Sequence, residues 1–187
     1  VTQSSRGEVA VVDLSAGQVV DRSKAVPGIN FLPVGAIPTD IAATPDGRMA
    51  FVASAEPNKF AIYGIPGHRI LGDFISLFTG APDPEGPITL GSWPVCTLPQ
   101  RPGSLTVVPR GTLDDLAAYE LVAVLPGSST DSAKIVTIDP KPFLRASPHK
   151  LEDGGVEEFG AGDRLVPGEP VPCAITGATE IAGSTLG

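Results

Sequence analysis

The sequence predicts an all-β fold of short antiparallel strands, and two observations carry that reading. The first is composition: the 187 residues include 22 Gly and 20 Pro. A proline at about every ninth position removes backbone donors and cuts the chain into short elements, so long helices are disfavoured. The second is the stretch IPTDIAATPDGRMAFVAS, Ile37 to Ser54, which sets an apolar run on each side of Thr44-Pro45-Asp46-Gly47. Pro presets φ, Asp can bond its own backbone and Gly accepts positive φ, so this is strand, tight turn, strand. Hydrophobic residues make up 42%, which fits a globular domain with a substantial core.

A third strand follows at KFAIYGIP, Lys59 to Pro66, after the turn-forming SAEPN. Three strands joined by short turns form an antiparallel meander. Its parts recur. RPGSLTVVPRG, Arg101 to Gly111, repeats the first strand and turn at one constant offset: Pro38 matches Pro102, Ile41 Leu105, Pro45 Pro109 and Gly47 Gly111. The insertion TLDDLAA then precedes a second strand at YELVAVLPG, Tyr119 to Gly127, and a third at AKIVTIDP, Ala133 to Pro140. An earlier copy of the third strand is GEVAVVDLSAG, Gly7 to Gly17. A further first strand is expected at EPVPCAITG, Glu169 to Gly177, and fourth strands at GQVVDRS, HRILGDFIS and PFLRASPHKL. The chain thus divides into closing strands at 1–36, one unit at 37–100, a second at 101–165 and the start of another at 166–187. Leu77 to Gln100 and Ser147 to Pro172 read as long Pro/Gly-rich loops, suited to binding, to partner contact or to neither.

PTDIAATPDGRMAFVASAEPNKFAIYGI resembles a blade of the YVTN-type β-propellers. The matching residues are Pro45, Asp46, Gly47, Phe51 to Ser54 and Phe60 to Ile65, and Val9 to Val20 is similar to the closing half of such a blade. The second copy departs, with Pro109-Arg110-Gly111 in the turn and Leu121 to Val124 in place of the aromatic core. The resemblance implies antiparallel four-stranded blades of a β-propeller. A closed ring needs at least ~4 blades of roughly 40–50 residues each, so the expectation is an incomplete ring. The alternative is a self-contained β-sandwich built from the same hairpins. The start at Val1, within a blade and without Met, reads as a processed chain or a piece of a longer one.

Cys96 in WPVCTLP and Cys173 in PVPCAIT share a Pro-Val context ahead of strand-like runs. They form either a disulfide, which implies an oxidising compartment, or two buried thiols. His68 and His149 lie in dissimilar turns and read as surface residues. No ligand spacing for a metal is visible, and no cofactor is expected. Asp114-Asp115, Glu152-Asp153 and Glu157-Glu158 read as a solvated acidic face, since no calcium-loop pattern surrounds them. Ser128, Ser129 and Ser184 stand in no nucleophile elbow. GAGDRLVPG lacks the lysine and the strand-to-helix context of a phosphate loop. Trp93 reads as a core anchor rather than an exposed binding aromatic.

The net charge of −8, without a run of like charges, disfavours nucleic acid and anionic membrane surfaces as partners. No stretch approaches the ~18 apolar residues that span a bilayer. The expected function is a non-catalytic structural or binding module outside the cytoplasm: periplasmic, on the outer surface or secreted. Its expected partner is the rest of a propeller, in the same polypeptide or another, within a larger assembly. The alternative is part of a propeller enzyme, lactonase-like or quinoprotein-dehydrogenase-like, with its site at the central channel. Asp40, just ahead of an inner strand, is then the first channel-facing candidate, and Ser104 is its counterpart in the second copy.

Overall fold

A computed structural model describes residues 1–21, 30–71, 88–110, 119–144 and 165–181. In chain order the strands are β1 (Thr2–Gln3), β2 (Glu8–Val9), β3 (Val11–Asp13), β4 (Gln18–Val20), β5 (Leu32–Pro33), β6 (Pro38–Ala43), β7 (Met49–Ser54) and β8 (Ala61–Pro66). A helical turn α1 (Gly67–Leu71) follows, then β9 (Val95–Thr97), β10 (Leu105–Pro109), β11 (Tyr119–Leu125) and β12 (Lys134–Ile138). A second turn, α2 (Lys141–Leu144), precedes β13 (Val171–Pro172) and β14 (Ile175–Glu180). The described part is all-β apart from a few helical turns.

The strands form small sheets in the orders β1-β2-β5, β13-β9-β8-β7-β6 and β10-β11-β12-β14, plus the hairpin β3-β4. Every pairing is antiparallel except β13 on β9. The opening hairpin is built by its turn residues. Gly47, at φ 72°, donates its amide to the Thr44 carbonyl, and Asp46 accepts from the Arg48 amide. The buried Thr44 hydroxyl accepts from the Met49 amide at 3.1 Å, so β7 leaves the turn in fixed register. At the far end of β8, Gly67 donates to the Arg48 carbonyl, and a Cβ there would stand 1.8 Å from the Gly47 carbonyl oxygen. Only glycine lets the two backbones approach that closely.

The five-stranded sheet is covered on both faces. Met49, Phe51, Ala53 and Ile62 pack against Leu121, Ala123, Leu125, Val136 and Ile138 of the four-stranded sheet. On the other side Val52, Tyr63, Ile65 and Val95 pack against Val9 and Leu32 of the small sheet and against Val34 just after β5. Successive side chains along a strand point to opposite faces, so a sheet between two layers reads as a continuous apolar run. MAFVAS and AIYGIP are such runs, and every residue of both strands is buried. Trp93 is the anchor of the second cluster, fully buried, with its indole Nε1 donating to the Pro33 carbonyl.

The fourth strands differ from the sequence expectation. HRILGDFIS begins in α1, and PFLRASPHKL begins in α2; the remainder of each lies outside the described residues. The fourth strand of the first unit is β9, taken from the sequence as loop, and that of the second is β14. Pro66 is the last residue of β8 and Pro140 follows β12, and in both places the chain then enters a helical turn. Nor does Glu169 to Gly177 start another copy. Its first part pairs with β9 as β13, and its second part completes the β10–β12 meander as β14. GQVVDRS does supply a strand, β4, paired with β3. The TLDDLAA insertion lies outside the described residues.

Candidate functional site

Cys96 and Cys173 form a disulfide, with Cα atoms 4.8 Å apart and a sequence separation of 77. Cys96 belongs to β9, while Cys173 stands at the crossing from β13 to β14. Its amide donates to the Thr97 carbonyl, and two residues on the chain has already joined the other sheet. The bridge therefore ties the outer edges of two sheets together. Closing so long a loop contributes about 4 kcal/mol by the chain-entropy argument.

A cleft of about 690 Å³ opens beside this bridge, lined among others by Asp139, Lys141, Phe143, Leu165, Glu169 and Pro172. Its volume falls in the range of small-molecule sites. Phe143 is buried and meets Phe51 edge-on, with centroids 5.3 Å apart, so the floor of the cleft is continuous with the core. The polar lining is two carboxylates and one ammonium. Asp139 caps its own turn, since its Oδ1 accepts from the Lys141 amide at 3.0 Å. Among the described residues no three His, Cys, Asp or Glu side chains gather as they would to hold a metal ion.

Asp40 lies at the opposite edge of the sheets, in an irregularity of the β6–β7 pairing. Its Oδ1 accepts from the Ile41 amide and its Oδ2 from the Leu105 amide, each at 2.8 Å. The carboxylate is a clamp between β6 and β10, the first strands of adjacent sheets. Ser4 makes the corresponding link on the other side, where its hydroxyl donates to the Pro38 carbonyl at 2.9 Å. Ser104, at the place equivalent to Asp40, is exposed. Ile37, just before β6, has φ 55°. A β-branched residue in that region is strained, and it sits where the chain enters this row of first strands.

The remaining polar candidates build turns. The Ser128 hydroxyl accepts from the amides of Thr130 and Asp131 and donates to the Asp131 carboxylate, which holds a loop rather than activating a nucleophile. His68 belongs to α1. His149, Asp114, Asp115, Glu152, Asp153, Glu157, Glu158 and Ser184 lie outside the described residues, as does most of GAGDRLVPG. The sequence reading missed Asp13. Its carboxylate accepts from the Ser15 hydroxyl and from the amides of Ser15 and Ala16, and these bonds hold it below the usual carboxylate range. The Asp-x-Ser spacing after a strand was the available signal.

No protein-family profile, no curated protein and no solved structure matches the chain.

Proposed function

We propose that this chain is a non-catalytic structural and binding segment of an extracytoplasmic, YVTN-type β-propeller. It completes its ring with further polypeptide or a partner chain and sits in a larger assembly. The observation that carries the reading is the stacking of the three sheets in chain order, with β1, β6 and β10 in one row at a common edge. In a propeller the first strands of radial sheets surround the centre, and each sheet finds neighbours on both faces. The five-stranded sheet has two such neighbours. Among the described residues the outer sheets have one each, which supports a reading as consecutive wedges of an open ring.

The disulfide supports the extracytoplasmic part, because such bonds persist in oxidising compartments. The cleft beside it is the surface best suited to contact with a ligand or partner segment. Native mass spectrometry and cross-linking of the protein from its source test the proposal. The expected result is an assembly well above 19.1 kDa that contains additional sheets of this kind. A monodisperse particle of the chain's own mass contradicts it.

A further inference from the structure

We infer that two copies of this chain join edge to edge through β14, antiparallel about a two-fold axis at Thr179, so that their four-stranded sheets become one. The inference uses a strand edge and does not rest on the propeller reading.

Sheet edges invite pairing, and proteins guard them with prolines, very short strands or cover. Most edges of this molecule are guarded in these ways. β13 is two residues long and contains Pro172, and β5 is two residues long and contains Pro33. β10 ends in Pro109, and Asp40 of β6 clamps it at the Leu105 amide. β14 is the exception. It is the last strand of its sheet, six residues long, without proline and exposed at every residue. The Ile181 amide donates to the Ala133 carbonyl, and bonded and non-bonded pairs alternate along an antiparallel ladder. Thr179 therefore bonds to β12, while Ala178 and Glu180 turn their amides and carbonyls to the free side. An extended strand is the partner that satisfies such a row.

The residues of β14 suit a second β14. With the two-fold axis at Thr179, Ala178 of each copy faces Glu180 of the other, and each pair exchanges both backbone hydrogen bonds. Thr179 meets Thr179 in a close, non-hydrogen-bonded pair, where two threonines attract. Gly177 meets Ile181, whose side chain is 39% exposed. Nothing described within the chain calls for glycine at 177: its φ is not positive, and an added Cβ would meet nothing nearer than Thr137 at 3.7 Å. A strand glycine of this kind marks the close approach of another backbone and leaves room for the facing isoleucine. Glu180, the one charge on the strand, is ion-paired to Lys134 at 3.9 Å and lies opposite Ala178. Sliding the strands by two residues spoils the match. One direction sets Glu180 directly against Glu180, with like charges opposed. The other sets Glu180 against Thr176, where the ladder of β14 is bulged. The strand thus offers itself one register, and the pairing closes because each copy brings a single such edge.

One short ladder is a small interface, so the pairing is reversible. Analytical ultracentrifugation of the chain over a concentration series should show a particle of 19.1 kDa giving way to one of twice that mass. Ala178→Pro removes an amide that faces away from β12 and should weaken the association by about tenfold or more. The native cysteines are bridged to each other, so Thr179→Cys carries the one free thiol. Mild oxidation should link Thr179→Cys into a covalent dimer about tenfold faster, or more, than Ala178→Cys, which the register sets off the axis. A chain that stays monomeric throughout the series overturns the inference. So does association that Ala178→Pro leaves unchanged, or equal linking at the two positions. Thr179→Cys that links only to a different protein in its source overturns it too and makes a foreign strand the occupant. An assembly with further sheets but no β14 pairing sinks this inference alone, and a β14-paired dimer without further sheets sinks the propeller reading alone.

Discussion

β7 and β11 hold the same place in two copies of one strand pattern, yet their surroundings differ. Every residue of β7 is buried, while β11 alternates buried and half-buried residues along its length. The local sequences anticipate this. MAFVAS is apolar almost throughout, and YELVAVL sets Glu120 on the outer side while keeping Val122 and Val124 there. A strand between two layers has no polar side; a strand with one covered face can afford one. The two units thus differ less in strand pattern than in what covers them. The second sheet keeps an apolar outer stripe that a permanently solvated face does not need, though scattered apolar residues on a surface are common.

The largest break in this comparison is expected from Phe51→Ala set against Val122→Ala. Phe51 is fully buried at the centre of the main core, and its loss should cost about 4 kcal/mol. Val122→Ala should cost about 1 kcal/mol or less in the isolated chain, because its side is only partly covered. Urea denaturation of both variants measures the gap, and equal losses would mean that the outer face is as packed as the middle sheet. Removing the bridge comes next. Cys96→Ser with Cys173→Ser should lower stability by about 4 kcal/mol and loosen β13 and β14 ahead of β7 and β8. Hydrogen exchange resolved by strand checks that order.

The first-strand row sharpens the comparison at smaller scale. Asp40→Ala should cost about 2 kcal/mol, since it strips the Leu105 amide of a charged acceptor. Ser104→Ala, its counterpart on the uncovered sheet, should stay within about 0.5 kcal/mol. Similar losses from the two would show that Ser104 already has an equivalent task.

The smallest effect is one of pH. Burial, with a lesser push from Glu56, raises the Tyr63 phenol above its ordinary 10.0. The neutral phenol thus contributes stability that is complete below pH 10 and is lost as pH rises through the raised folded value. Denaturation midpoints should fall as pH rises above about 10, and Tyr63→Phe should remove part of that fall. An unaltered fall in the variant would assign it to other groups.

How much of this was legible in the sequence follows from the range of the interactions. β6 to β8 and β10 to β12 were readable because turn chemistry and alternation are local. The Pro45-Asp46-Gly47 turn fixes its own hairpin through Thr44 and Asp46. The places of β9 and β14 as fourth strands were not readable. Each is reached only after a helical turn and a long excursion, and β14 carries no buried residue to mark it as strand. What places it is the free edge of β12, a tertiary fact. The Cys96–Cys173 pairing was open between bridge and thiols, because the sequence does not say that β13 runs beside β9. Trp93 reads as a core anchor from the sequence, but its bond to Pro33 is not foreseeable there. Asp40 was noted for its position ahead of a strand. That both its oxygens serve backbone amides is visible only when the next sheet is in place.

The sharpest difference is that, among the described residues, the middle sheet is covered on both faces and the β10-β11-β12-β14 sheet on one. A soluble paramagnetic probe on the isolated, methyl-labelled chain tests it most directly. Val52, between two layers, should be unaffected, while Val122, Val124 and Ile135 should broaden together. Protection of those three methyls equal to that of Val52 would contradict the account, since it would mean that the chain already closes on itself.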